Sequence, residues 1–219
     1  MSDQAKILVW DKHTRIFHWA LVIFFIASMV TGLWGDIDMM EWHIRSGYAL
    51  LGLLIFRLLT GLLGGDYGHF SRFPLRPTAI LAYIRGQKSF IGHNPLGSWM
   101  VVIVLLALLA QALSGLLTTG DIFTEGPWVA WADDSWISFG GFIHSNNYRL
   151  LLALAGVHIA AVLFYRLRRK QDLITPMLTG YKSVSTTEPA ANRLSIVRLL
   201  ALAAIAALIT WLLIDLSID

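Results

Sequence analysis

The chain has 219 residues, 56% of them apolar and 14% charged, with a mean hydropathy of +0.63; this excludes a soluble globular domain, whose surface needs far more charge. With no cysteine, disulfides, iron–sulfur clusters and covalent attachment of c-type haem are excluded too, so any metal or cofactor must rest on histidine, methionine, tyrosine or carboxylate. The formal net charge is only +3, and nothing in it points to nucleic acid.

The apolar residues gather into runs near the length that crosses a hydrocarbon core. In chain order they predict helical spans over 16–34, 43–63, 97–118, 149–167 and 194–214, helices being the form that satisfies its own backbone in lipid. No small-residue cleavage site follows the first run, which reads as a retained span. Glycine-containing connections (Gly35-Asp36, Gly64-Gly65, Gly120-Asp121) end three of the spans. A loop rich in proline and base (Arg72, Pro74, Arg76, Pro77, Arg85, Lys88) follows the second span. A loop rich in tryptophan and acid (Trp128, Trp131, Asp133, Asp134, Trp136) follows the third. The last span is Ala, Leu and Ile without histidine, so it reads as a packing or docking helix. The expected organisation is an all-α membrane protein: a four-helix unit over 1–181, a linker over 182–193 and an added span over 194–214.

Charge sets the orientation. With a cytoplasmic N-terminus, fifteen of the seventeen Lys and Arg fall inside and only Arg45 and Arg149 outside, while nine of the fourteen acids fall outside, Asp215 and Asp219 among them. The expectation is a multi-pass protein of a bacterial inner membrane with a periplasmic C-terminus.

Seven histidines carry the chemistry. His13, His69 and His93 lie in predicted loops and read as solvated or headgroup-level side chains. His144 and His158, fourteen residues apart on the fourth helix, return to within about 40° of one face and are separated by roughly 21 Å along the axis. Two ligands on one face at two depths are what two stacked haems require. His18, near the inner start of the first span, is level with His158, and His43, at the outer start of the second, is level with His144. Ionisable residues inside spans are costly and default to function, and bis-histidine ligation saturates iron for electron transfer. Arg45 and Arg149 are expected to serve the propionates of the outer haem, and Arg15, Arg57 and the Arg166–Arg169 cluster those of the inner one. Gly47 and Gly156 either let a flat macrocycle approach or serve ordinary small-residue packing.

At this point the residues resemble a family. Val9-Trp10-Asp11 with Arg15-Ile16-Phe17-His18-Trp19 is similar to the first span of the bacterial cytochrome b561 and nickel–iron hydrogenase cytochrome b-subunit superfamily. Trp42-His43-Ile44-Arg45-Ser46-Gly47-Tyr48 resembles its second-span motif, and the spacing of His144 and His158 its fourth span. Gly92-His93-Asn94-Pro95-Leu96-Gly97 and Pro176-Met177-Leu178-Thr179-Gly180 resemble a proteobacterial branch. The resemblance covers about residues 8–181 and leaves out the fifth span. It implies that His18, His43, His144 and His158 ligate two b haems, and that electrons pass between ubiquinone or menaquinone and a redox partner. His13 stands where the family does not usually have histidine, which argues against it as a ligand.

Among partners, an acidic outer face (Asp36, Asp38, Glu41, Asp121, Glu125, Asp133, Asp134) favours a basic c-type cytochrome. Superoxide, an anion, is disfavoured by that field, and a hydrogenase is the third option that the resemblance implies. The quinone is expected near His18, His158 and the loop from Arg72 to Lys88, with His69 and His93 on hand for its protons. A transporter or scaffold would show internal repeats, and none is visible. Lipid surrounds the spans, and the fifth span leaves a homo-oligomer open.

Overall fold

The computed structural model describes residues 5–64, 68–87, 90–120, 124–184 and 194–215. The expected roles of Lys88, Asp121 and Asp219, the turn residue Gly65 and most of the linker, 185–193, lie outside the described residues. In chain order the elements are β1 (Ala5–Leu8), α1 (Lys12–Trp34), α2 (Ile37–Leu63), α3 (Pro77–Ile84), α4 (Pro95–Gly115), α5 (Asp134–Leu167), α6 (Ile174–Thr179), β2 (Tyr181–Val184) and α7 (Ile196–Asp215), with 3-10 turns at Phe70–Arg72 and Val129–Trp131. Five of the helices, α1, α2, α4, α5 and α7, are long and apolar enough to cross a membrane. The protein is an all-α membrane bundle.

Side-chain caps start three of these helices. Asp11 accepts the Thr14 amide at 3.2 Å ahead of α1, Asp36 the Met39 amide at 2.8 Å ahead of α2, and Asn94 the Gly97 amide at 2.7 Å ahead of α4. Two helices begin much earlier than hydropathy predicts. The first turns of α2 carry Asp38 and Glu41, and α5 starts at Asp134 inside the stretch read as an acidic loop. His43 and His144 therefore stand within helices and not at their starts. α4 closes at Gly115, short of the expected 118.

α1 packs along α2, α4 along α5, and α7 along α2. The α2–α7 seam closes at Gly52, where an added Cβ would meet the Thr210 hydroxyl at 3.3 Å. The Trp128 indole N–H donates to the Leu213 carbonyl at 2.8 Å and ties the acidic-end loop to the same helix. α5 is the least buried of the five long helices and is packed chiefly against α4. Large apolar side chains such as Ile23, Leu106, Val157 and Leu200 face outward from four different helices, as a lipid-facing surface requires.

The basic end carries a folded cap that hydropathy gives no sign of. β1 pairs antiparallel with β2, Leu8 opposite Tyr181, so the strand runs across the expected boundary at 181/182. The Val9 and Trp10 amides both donate to the Gly180 carbonyl at 2.8 and 3.1 Å. Arg15 donates to the Leu178 carbonyl and the Trp19 indole to that of Met177. Gly180 ends α6 at φ 92°, where a Cβ would stand 2.7 Å from the Trp10 carbonyl oxygen; only glycine fits there. Gly180→Ala is expected to lower the thermal midpoint of the detergent-solubilised protein by several degrees, since a left-handed residue alone costs about 1–2 kcal/mol. Gly86→Ala, at φ 71° with nothing within 4 Å, should lower it less, and tryptophan fluorescence on heating reads both.

Candidate functional site

Four of the seven histidines come together in two pairs. His18 of α1 faces His158 of α5 with ring centres 6.4 Å apart. His43 of α2 faces His144 of α5 with ring centres 5.9 Å apart. Two imidazoles that share one metal from opposite sides, each at the ~2 Å of a metal–histidine bond, have ring centres about 6 Å apart. Both pairs fit a bis-histidine iron.

In the His43–His144 pair, backbone carbonyls decide which nitrogen faces inward. Nδ1 of His43 lies 2.8 Å from the Ser28 carbonyl oxygen, and Nδ1 of His144 lies 3.0 Å from that of Gln111. A carbonyl only accepts, so each Nδ1 carries the proton and each Nε2 keeps its lone pair for a ligand. The Gln111 amide is held by its own bonds, donating to the His144 carbonyl at 2.9 Å and accepting from Asn147 at 2.9 Å. Glycines let the rings seat. A Cβ at Gly32 would lie 2.6 Å from the His43 ring, and one at Gly115 would lie 3.0 Å from that of His144.

A cavity of about 470 Å³ opens beside this pair, lined among others by Gly47, Tyr48, Gln111, Glu125 and Tyr148; its size is that of a cofactor site. Gly47 has nothing within 4 Å of an added Cβ, so a flat ring can approach it. Gly156 is equally open and exposed, on α5.

The His18–His158 pair has a different surround. Nδ1 of His18 is buried without a hydrogen-bond partner, as is Nε of Arg15 one turn away. The orphaned Arg15 Nε fits a haem, whose propionates are carboxylates that accept from such a donor.

The expected arginines are placed less simply. Arg45 pairs with Glu41 and stands over the Trp42 ring. Arg149 donates to Asn146 at 2.8 Å and stands over Tyr148. Neither lines the cavity. Arg57 is 5% exposed, donates to the Gly68 carbonyl at 2.9 Å and lies over Phe70. His13 pairs with Asp11 at 3.3 Å. His69 spends both nitrogens, one on the Leu62 carbonyl and one on the Ser71 amide. His93 sits between the rings of Trp10 and Phe73, at 4.5 and 4.8 Å. Ser28, Gly32, Gln111 and Gly115 were missing from the sequence reading. Two act through backbone carbonyls, and two are glycines in spans where small residues are ordinary.

A bundle crossing the membrane with facing histidine pairs at two levels has the form of a haem-binding electron carrier. The model of the prokaryotic cytochrome b561 family matches residues 9–180, and the chain belongs to that family. No curated protein matches it. It is therefore a multi-pass membrane protein that binds haem b and transfers electrons. Gly32→Ala is expected to push the His43 ring out of place and to lower the haem retained per chain in a pyridine haemochrome assay. Gly115→Ala, with its wider clearance, should lower it less.

Proposed function

We propose that His18 with His158, and His43 with His144, ligate two b haems, and that the protein moves electrons between ubiquinone or menaquinone and a redox protein at its acidic end. The observation that supports this most is the pairing itself, two facing pairs at ligating distance built on one shared helix. Bound haem supplies a one-electron iron couple. The chain supplies four imidazoles, orients two of them through the Ser28 and Gln111 carbonyls, and surrounds them with apolar helices that exclude water. With two histidines on each iron no coordination position stays open, which suits electron transfer.

The basic end faces the cytoplasm and the acidic end the periplasm, in a bacterial inner membrane, by the distribution of lysine and arginine. Residues 1–181 are the electron-carrying unit and 194–214 an added span that buttresses α2, with 182–193 as the link. Asp36, Asp38, Glu41, Glu125, Asp133 and Asp134 are exposed at the acidic end and suit a basic c-type cytochrome. The quinone belongs at the basic end near His158. Tyr165, two turns further along α5 on nearly the same face, has its hydroxyl 2.9 Å from that of Tyr83, which also accepts from Asn94 at 3.0 Å. Burial and the bond to Tyr165 push the Tyr83 phenol well above its ordinary range, so Tyr83 keeps its proton, and the pair is suited to recognising an oxygen by hydrogen bonding.

Purified protein is expected to give two low-spin b haems per chain in a pyridine haemochrome assay and a reduced-minus-oxidised spectrum. His144→Ala should lose one and keep the other; survival of both would break the pairing. Electron exchange between the protein and a basic c-type cytochrome should slow steeply as salt rises, since Debye screening shortens from about 30 Å at 0.01 M to about 10 Å at 0.1 M. A rate indifferent to salt would exclude a steered encounter with that partner.

A further inference from the structure

The two histidine pairs are held differently, and the difference has a redox consequence. Both rings of the His43–His144 pair donate Nδ1–H to a backbone carbonyl, at 2.8 and 3.0 Å. Those carbonyls belong to packed helices: Ser28 is 6% exposed, and the Gln111 side chain is clasped by Asn147 across the α4–α5 seam. In the other pair, Nδ1 of His18 is buried with no acceptor among the described residues, and no hydrogen bond of the His158 ring is found among them. A ring that gives up part of its Nδ1 proton is a stronger electron donor through Nε2. Stronger donation favours ferric over ferrous iron and lowers the reduction potential, the axial ligand and its hydrogen bonds being principal controls on a haem.

Charge acts in the same direction. The rim of the His43–His144 cavity includes Glu125, and Asp36, Asp38 and Glu41 stand exposed at that end. Of its two cations, Arg45 is paired with Glu41, and Arg149, bonded to the neutral Asn146, is exposed and so screened by water. On α2, Arg57 follows His43 by fourteen residues, which puts it close to the same face and about 21 Å further along the axis, at the depth of the His18–His158 pair. It is buried, and its guanidinium bonds a neutral carbonyl, that of Gly68. Asp11 stands in the same neighbourhood and pairs with His13. Arg15 adds a second cation on α1, also bonded to a neutral carbonyl. Positive surroundings favour the state that has gained an electron.

We propose that the two sites are unequal in a fixed sense: the His43–His144 site has the lower reduction potential and the His18–His158 site the higher. Electrons arriving at the acidic end are then drawn toward the basic end, and their return is opposed. The inference rests on the two-haem reading and adds an order to it.

The test is an equilibrium redox titration, followed in the visible spectrum, of the haem-loaded protein and three variants. The wild type should titrate as two components. His144→Ala should keep the higher one and His158→Ala the lower one. Arg57→Met, made with both ligand pairs intact, should move the higher component downward and leave the lower one in place; it decides the matter even where a ligand variant fails to assemble. Reversed assignments, coincident midpoints, or an Arg57→Met shift confined to the lower component would overturn the order while leaving two haems standing. A single haem in the wild type would overturn both the order and the reading beneath it.

Discussion

An imidazole inside an apolar bundle has two nitrogens to satisfy, and water is not there to satisfy either. One way out is to give Nδ1–H to a carbonyl and Nε2 to a metal. His43 and His144 take its first step, each giving Nδ1–H to a carbonyl of the helix packed beside its own, Ser28 on α1 for His43 and Gln111 on α4 for His144, which leaves Nε2 free for a ligand. Much of the packing at that end of the bundle follows from seating these two rings. Gly32 is small because the His43 ring occupies the place of its side chain, and Gly115 is small for the same reason beside His144. The clasp of Gln111 and Asn147 keeps α4 and α5 in the register that the second bond requires.

This requirement also explains the unequal packing of the helices. α1 lies against α2 and α4 against α5, so each Nδ1 acceptor comes from within a tightly packed pair. The rings themselves cross between the pairs, from α1 or α2 to α5. α5 is therefore the helix on which both sites depend, and it is the one with least buried surface. α7 stiffens the assembly from the other side, at the Gly52–Thr210 contact and the Trp128–Leu213 bond. The cap at the basic end anchors the start of α1 through Trp10, Arg15 and Trp19, so the depth of His18 is set by contacts with α6.

The parts legible in the sequence were those governed by local periodicity. Fourteen residues are nearly a whole number of helical turns, so His144 and His158 could be put on one face from spacing alone, and alternating spans then fixed which of His18 and His43 lay at each level. Helix starts were less legible because hydropathy sees only apolar residues. Asp38 and Glu41 lie in the opening turns of α2, and Asp134 through Asn147 in those of α5, and both stretches look like loop. The strand pair β1–β2 joins segments at opposite ends of the family unit, and four-residue strands carry too little pattern to reveal that pairing. The motif from Pro176 to Gly180 is visible as a resemblance, but its physical reason, a left-handed turn that receives the two amides just after the N-terminal strand, needs the tertiary contact. Arg45 and Arg149 are the only cations that the sequence puts at their end. Each instead finds a partner one turn away on its own helix, a local bond that long flexible side chains form readily.

The acceptors of the two Nδ1 protons could not have been read at all. A backbone carbonyl has no residue type, and carbonyls inside a helix are ordinarily spent on the amide four residues on. That of Ser28 serves His43 from its second lone pair, and the Thr31 hydroxyl also reaches it at 3.3 Å. Such an arrangement resists drift under mutation, because changing the side chain at 28 leaves the carbonyl in place, and a change at 111 acts on it only through the clasp with Asn147. What can be lost is the clearance, at Gly32 and Gly115, and the helix register. The chemistry of the His43–His144 pair is thus written in the backbone and protected by glycines. The His18–His158 pair has no such backbone acceptor among the described residues, so its surroundings rest on side chains, which substitution can change.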